Sequence, residues 1–354
     1  MKLKIEPSVQ KAMKSVESIG CRIYLCDKSM RGLLFGNEPN HYTFALFSPE
    51  NANDLEKALN PLADIGDICG IYHDASHFQS KRLLTADMPL IDKDGNVLDS
   101  FNGIGDIVRR TIRCVPGWED ELRHFPSEIL RIIAMESEDG FAADITTHRA
   151  MASSAASILE NVGSEPIRRY FSNVLLGSFA ETAIIRNEII LSLIFKELSS
   201  CSTLQQNNPY TAGSFYIRMA RAIGAAPKDL FVRAALFFLY TGFPSCCKRD
   251  VSGFDTFGKN AYLKSAEIAR GYMEQLGYQK EETDYVCTLI ANQATSPQDI
   301  DIRRFLKNHG TEQAQRLLDI QEADTIAQCR PDAEARLEKI AELRLTIYDT
   351  MHHI

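Results

Sequence analysis

Tyr24-Leu25-Cys26-Asp27-Lys28-Ser29-Met30-Arg31-Gly32-Leu33-Leu34-Phe35-Gly36 reads as the end of a strand, a turn, and a short helix stopped by glycine. Around it, the β-rich runs at 21–27, 42–47 and 67–74 are separated by helix-like pieces, so the first hundred residues predict a mixed α/β unit. A hairpin is predicted over 88–99, with Asp94-Gly95-Asn96 as its turn. Beyond Phe101 the pattern changes. From Trp118 onward apolar residues recur at helical spacing, as at Ile129, Ile132 and Ile133 and through 171–198, and strand signals nearly vanish. The polar stretch 199–212, which contains Pro209, predicts a boundary, and 301–354 reads as charged amphipathic helix.

The chain has 354 residues, 45% hydrophobic and 24% charged, which excludes disordered and collagen-like classes. No apolar run approaches the ~18–20 residues of a membrane span, and charges stand where a signal peptide needs its apolar centre, so a cytoplasmic protein is expected. Nine cysteines without a CxxC pair argue for small buried thiols over a disulfide framework or a zinc knuckle. A net charge of −8 argues against a broad polyanion binder, while leaving room for a local basic groove.

The opening stretch resembles the head-domain signature of class II tRNA nucleotidyltransferases (CCA-adding enzymes) and bacterial poly(A) polymerases. There a strand leads through Gly-Gly into a Val-Arg-Asp-Leu-Leu-Leu-Gly helix, followed by Pro and then Asp-x-Asp. Arg31, Leu33, Leu34, Gly36 and Pro39 match without gaps. Asp27 and Lys28 stand where the two glycines belong, and His41 and Thr43 where the two aspartates belong. Further pieces follow in order over residues 20–175. Arg82, Thr85 and Asp92 fall on Arg-Arg-Asp-Phe-Thr-Ile-Asn-Ala and the acid after it, with Leu83 and Asp87 replacing its Asp and Asn. The best-kept part is 98–106 with 111–115, similar to Ile-Asp-Pro-Phe-Gly-Gly-Leu-x-Asp and Ile-Arg-Thr-Val. Residues 123–131 lie on Arg-Glu-Asp-Pro-Leu-Arg-x-Leu-Arg, with Gly140-Phe141 closing the same helix, and 162–168 resemble the neck's Val-Ser-x-Glu-Arg-Ile-Arg.

The resemblance implies an α+β fold: a small mixed-sheet nucleotidyltransferase-like head over 1–116, a helical neck over 117–200, and a helical body and tail over 201–354, the three helical parts forming an elongated whole. It also implies damaged chemistry. In the family, Asp-x-Asp holds two divalent cations that activate the RNA 3′-hydroxyl and neutralise the triphosphate. An imidazole and a hydroxyl, His41 and Thr43, are poor ligands for magnesium, so no metal or other cofactor is expected; magnesium enters only if transfer persists through other carboxylates such as Asp27, Asp87 or Asp92. Asp27 puts a like charge at the turn that faces the triphosphate, with Lys28 beside it as partial compensation. Phe125 and Glu128 replace the pair that reads the incoming base. The degenerate nucleotide-binding positions are therefore Asp27, Lys28, Arg31, Arg82, Phe125 and Glu128, and the stretch between Ala45 and Arg82 is short for the family.

The C-terminal half resembles the HD-type helical domain attached to some of these enzymes, through Asn208-Pro209-Tyr210, 237–244 and 266–269. Its metal-binding His and Asp fall on Leu239 and Tyr240, and no histidine lies between His148 and His309, so phosphohydrolase chemistry is not expected. His73-Asp74 with His77 reads as a polar cluster, Cys246-Cys247 as two free thiols, and His352-His353 as a frayed end. Arg113, Arg123, Arg131 and Arg168 are the candidates for an RNA-backbone groove, against the plain alternative of solvated faces and ion pairs. The reading is a nucleotidyltransferase-like pseudoenzyme that binds RNA, tRNA first among them, or a protein partner. An active transferase with atypical metal ligands and a scaffold that touches no RNA are the alternatives.

Overall fold

The computed structural model describes residues 1–48, 59–204, 207, 213–328 and 330–352. The Asn208-Pro209-Tyr210 element and His353 lie outside the described residues. Contacts divide the chain into two compact units, Met1–Leu122 with Phe141–Ala150, and Arg123–Gly140 with Met151–Ile354.

The first unit is built on a five-stranded sheet. Strands β1 (Arg22–Leu25), β2 (Tyr42–Phe47), β3 (Gly66–Tyr72), β4 (Leu90–Ile91) and β5 (Val97–Leu98) lie in the order β3-β2-β1-β4-β5. The three expected strands and the hairpin are all present. β1 runs antiparallel to β2 and β4, and β2 is parallel to β3, so the sheet is mixed. β2 lies between β1 and β3 and is buried at five of its six positions, as a strand covered on both faces requires. Tyr24, Phe47, Tyr72, Phe78 and Leu90 pack with Cys26 and Ala45 into a core on one face. The helix Pro7–Glu17 starts at a proline and buries Val9, Ala12, Met13 and Val16, one stripe at helical spacing. Gly66 lets β3 approach β2, since a Cβ there would sit 2.1 Å from the Tyr42 carbonyl oxygen. Gly95, at φ +84, turns the β4–β5 hairpin. A second small sheet pairs Thr111–Ile112 with Ala142–Ala143 in parallel.

The second unit is helical. The helix Ser127–Asp139 ends at Gly140 in the left-handed conformation, as the matched Gly-Phe closure requires. Its partner Ser164–Leu176 contributes Phe171 to an aromatic core with Phe195, Phe237 and Phe238. The terminal segment is two helices, Ile302–Gln328 and Ala333–His352, the first broken at Gly310. They bury Ala314, Leu318, Ile340, Leu343 and Ile347 together. One short hairpin interrupts the expected helices: Lys248–Arg249 pairs with Asp255–Thr256, its turn held by Asp250, whose Oδ1 accepts from the Ser252 and Phe254 amides. Among the described residues, no helix is long and apolar enough to cross a membrane.

Candidate functional site

The strand-turn-helix at Cys26–Asp27 is the natural place for a phosphate site, because the helix Asp27–Leu34 begins there. Asp27 has φ +53, a conformation that glycine reaches freely and aspartate rarely. The turn therefore keeps a glycine-like backbone while carrying a carboxylate. Arg82, reaching over from the loop before β4, donates from Nη1 to Asp27 Oδ1 at 2.5 Å. Asp27 and Asp87 both hold the Arg82 guanidinium firmly charged against the opposing effect of its burial. Arg82 also stacks over the Phe78 ring at 4.8 Å. The positions matched to the phosphate turn and to the arginine motif thus meet as an ion pair. Lys28 is exposed, whereas Arg31 is buried, 3.6 Å from Asp87 Oδ1 and with its guanidinium 6.0 Å from the Phe141 ring centroid.

The Asp-x-Asp positions lie at the start of β2. His41 is exposed and Thr43 partly buried. His41 Nε2 lies 2.9 Å from Asp67 Oδ2, and Asp67 pairs in register with Thr43 across β2 and β3. An imidazole, a hydroxyl and a single carboxylate do not fit a magnesium ion that takes an oxygen-rich octahedron. The three substitute carboxylates are also engaged: Asp27 by Arg82, Asp87 by Arg31, and Asp92 by the hairpin, where it accepts from the Asp94 and Asn96 amides at 2.8 Å.

In the best-kept motif, buried Asp106 is the centre of a polar network. Thr85 Oγ1 donates to Asp106 Oδ2 at 2.6 Å, and Asp106 Oδ1 receives Arg109 at 2.8 Å and Arg113 at 3.3 Å. These residues hold the loop that follows the hairpin, so the sequence match there reports structure.

In the second unit, Phe125 is exposed and Glu128 pairs with Arg131 at 2.6 Å. Of the arginine candidates, Arg113 pairs with Asp106 and Asp144, Arg131 with Glu128, and Arg168 donates to the Gly277 carbonyl at 2.6 Å. Arg123 is exposed and contacts His124. Leu239 and Tyr240, at the HD positions, are buried; the Tyr240 hydroxyl donates to Asp324, which also holds Arg218.

His73 and His77 stack beside Asp74, which caps the helix Ala75–Gln79 by accepting from the His77 amide. That cluster is structural. Cys246 and Cys247 are free thiols. Sequence reasoning missed Cys69 and Asp67 on β3, which no motif marks; only the pairing of β2 with β3 brings them beside the Cys26–Asp27 turn and His41.

The chain matches no family model. It is similar to the CCA-adding enzyme of Leuconostoc citreum, 29% identical over 138 residues covering 36% of this chain and 34% of that protein. A second relative is the Bacillus subtilis CCA-adding enzyme, 30% identical over 118 residues, 33% of this chain and 29% of that protein. The chain thus spans about a third of the length of these curated relatives. Among solved structures, a tRNA-processing enzyme in its apo form covers 98% of this chain and 92% of its own, with a TM-score of 0.64 and 13% identity. The Bacillus stearothermophilus CCA-adding enzyme in complex with CTP covers 96% and 83%, with a TM-score of 0.62 and 16% identity. The Thermotoga maritima CCA-adding enzyme complexed with tRNA covers 95% and 82%, with a TM-score of 0.59 and 13% identity. Those likenesses establish the fold, a sheet-based head followed by helices, and over about a third of its length the chain is similar in sequence to CCA-adding enzymes.

Proposed function

We propose that this chain is a tRNA nucleotidyltransferase-like protein that binds RNA, tRNA first among them, without transferring nucleotides. The observation that carries the reading is the state of the pocket. His41 and Thr43 stand at the metal positions, and the Asp27–Arg82 ion pair fills the phosphate turn. Transfer needs two carboxylates on one face of a strand and a turn open to a triphosphate, and both requirements are unmet together. The RNA part of the reading rests on kinship, since a CCA-adding enzyme of the same fold is described in complex with tRNA. The helical body, with Leu239 and Tyr240 packed inside, is read as a degenerate HD-like domain without hydrolase chemistry.

The test incubates the full chain with tRNA lacking its 3′ end, magnesium and labelled CTP or ATP, and follows label incorporation and gel mobility together. Retarded tRNA without incorporation is the expected result. Incorporation that depends on magnesium would overturn the pseudoenzyme reading in favour of an atypical transferase, with Asp67 beside His41 as the first carboxylate to replace. No retardation even at low salt would leave a scaffold protein that acts through a protein partner.

A further inference from the structure

The pocket also holds a pair of thiols that neither nucleotide transfer nor RNA binding uses. Cys26, at the end of β1, and Cys69, on β3, are 43 residues apart, and their sulfurs lie 3.4 Å from one another. The contact has an identifiable origin in the sheet. The β2–β3 register steps from Phe44 opposite Ile68 to Ala45 opposite Gly70, so Cys69 is the extra residue of a β-bulge. Bulges re-aim a side chain, and here the re-aimed thiol meets Cys26.

The two thiols differ in their surroundings. Cys26 is buried, while Cys69 is exposed and open to a small reagent. Arg82 donates from Nη2 to Cys69 Sγ at 3.0 Å, and the Tyr72 hydroxyl lies 3.9 Å from the same sulfur. Four groups thus face Cys69: the Cys26 thiol, the Asp27 carboxylate, the Arg82 guanidinium and the Tyr72 phenol. The hydrogen bond with Cys26 lowers the Cys69 pKa from its ordinary value, and the Arg82 charge adds to this against burial and Asp27. The same bond, with burial, drives Cys26 well upward. A metal is a weaker occupant for this cluster. Cys26, Asp27 and Cys69 offer three donor atoms within 4.8 Å of one another, but Arg82 already puts a fixed positive charge on Asp27 and Cys69.

We propose that Cys69 is a hydroperoxide-reactive thiolate and Cys26 its resolving partner, so that the degenerate nucleotide pocket works as a dithiol switch. The Cys69 thiolate attacks one peroxide oxygen, the O–O bond breaks, and the departing hydroxide takes a proton to become water, leaving a sulfenic acid. Cys26 then attacks the Cys69 sulfur, the S–O bond breaks, and the hydroxide leaves as water with the Cys26 proton. The two cysteines together lose two electrons, and the hydroperoxide is reduced. Sulfurs in contact must approach to about 2.05 Å, so closure draws the end of β1 and the β3 bulge together over the start of β2. Because Arg82 contacts both Cys69 and Asp27, loss of the thiolate removes one of the anionic groups that face it, leaving the Asp27 and Asp87 carboxylates. Oxidation then changes the charge at the phosphate turn itself.

The experiment uses the reduced full chain. Its alkylation by iodoacetamide is followed by mass spectrometry across pH, with Cys246 as an internal reference thiol. Substoichiometric hydrogen peroxide is then added and the product is mapped by peptide. The expected result is that Cys69 reacts about tenfold or more faster than Cys246 at neutral pH, with a titration midpoint below the ordinary thiol range. Peroxide should yield a Cys26–Cys69 disulfide, and Cys26→Ser should instead accumulate a sulfenic acid on Cys69 that a 1,3-diketone traps. Arg82→Gln should move the Cys69 midpoint upward and Arg82→Lys restore part of it; if either variant fails to fold, the unsubstituted chain's pH profile decides. Cys69 reacting no faster than Cys246, peroxide giving no bridge between these two residues, or a bridge to another cysteine would each overturn the proposal.

Discussion

Asp27 combines two properties that seldom meet: a left-handed backbone and a charged side chain tied to a largely buried guanidinium. Replacing it with Asn keeps the shape and removes the charge that compensates Arg82. We expect Asp27→Asn to destabilise the chain by about 2 kcal/mol, below the 3–5 kcal/mol of a fully buried broken pair because Asp27 retains some exposure. Urea unfolding measures it. Tyr240 is a second single-residue case. Its hydroxyl donates to Asp324 in a fully enclosed setting, where burial raises the phenol pKa, with Asp324 adding to the rise and Arg218 opposing it. Tyr240→Phe removes one hydrogen bond while Arg218 still satisfies Asp324, so the expected cost is ~1–2 kcal/mol by the same measurement.

At the scale of elements, the β4–β5 hairpin depends on Asp92. Burial opposes its ionisation, but hydrogen bonds from the Asn96 side chain and the Asn96 and Asp94 amides outweigh it, and the pKa falls below the usual value. A carboxyl depressed in the folded state stabilises above its unfolded pKa, and that contribution fades as pH falls through the folded value. Thermal melts from neutral pH down into the acid range should therefore show a loss of stability that Asp92→Asn lacks. Another joint is made by Arg233, which donates to the carbonyls of Leu175, Gly177, Ala226 and Pro227 and so ties the end of the helix Ser164–Leu176 to the turn before the helix Leu230–Phe238. Burial lowers its pKa from the ordinary value. Arg233→Met leaves four acceptors without this donor, and we expect a loss of about 3–5 kcal/mol in denaturant unfolding.

At the scale of the whole molecule, binding of tRNA by a chain of net charge −8 has to come from local phosphate contacts. The expected signature is affinity that falls roughly tenfold or more between low and physiological ionic strength, read by gel mobility or anisotropy. Arg123→Glu should weaken binding more than Arg131→Glu, because Arg131 is already paired with Glu128 whereas Arg123 is exposed. Equal affinity for both variants and the unsubstituted chain would remove these arginines from the interface.

The local pattern of the sequence determined the elements. The alternation at 22–25, the near-continuous apolar run at 42–47, the Asp-Gly turn at 94–95 and the helical stripe of 127–139 are short-range signals, and each of these elements formed where the pattern placed it. The resemblance to tRNA nucleotidyltransferases was equally legible, because the motifs that carry it are contiguous runs in a preserved order. What the side chains do to one another depended on contacts between distant segments, which periodicity does not encode. His41 meets Asp67, Asp27 meets Arg82, and Cys26 meets Cys69 only because β3 lies against β2 and a single bulge turns one side chain aside. The best-kept match likewise gives no hint in the sequence of what its residues touch, and the structure pairs Asp106 with Thr85 and Arg113 in a network that holds the loop after the hairpin. A motif names a residue; its partner across the sheet, and the water it has lost, decide what that residue can do.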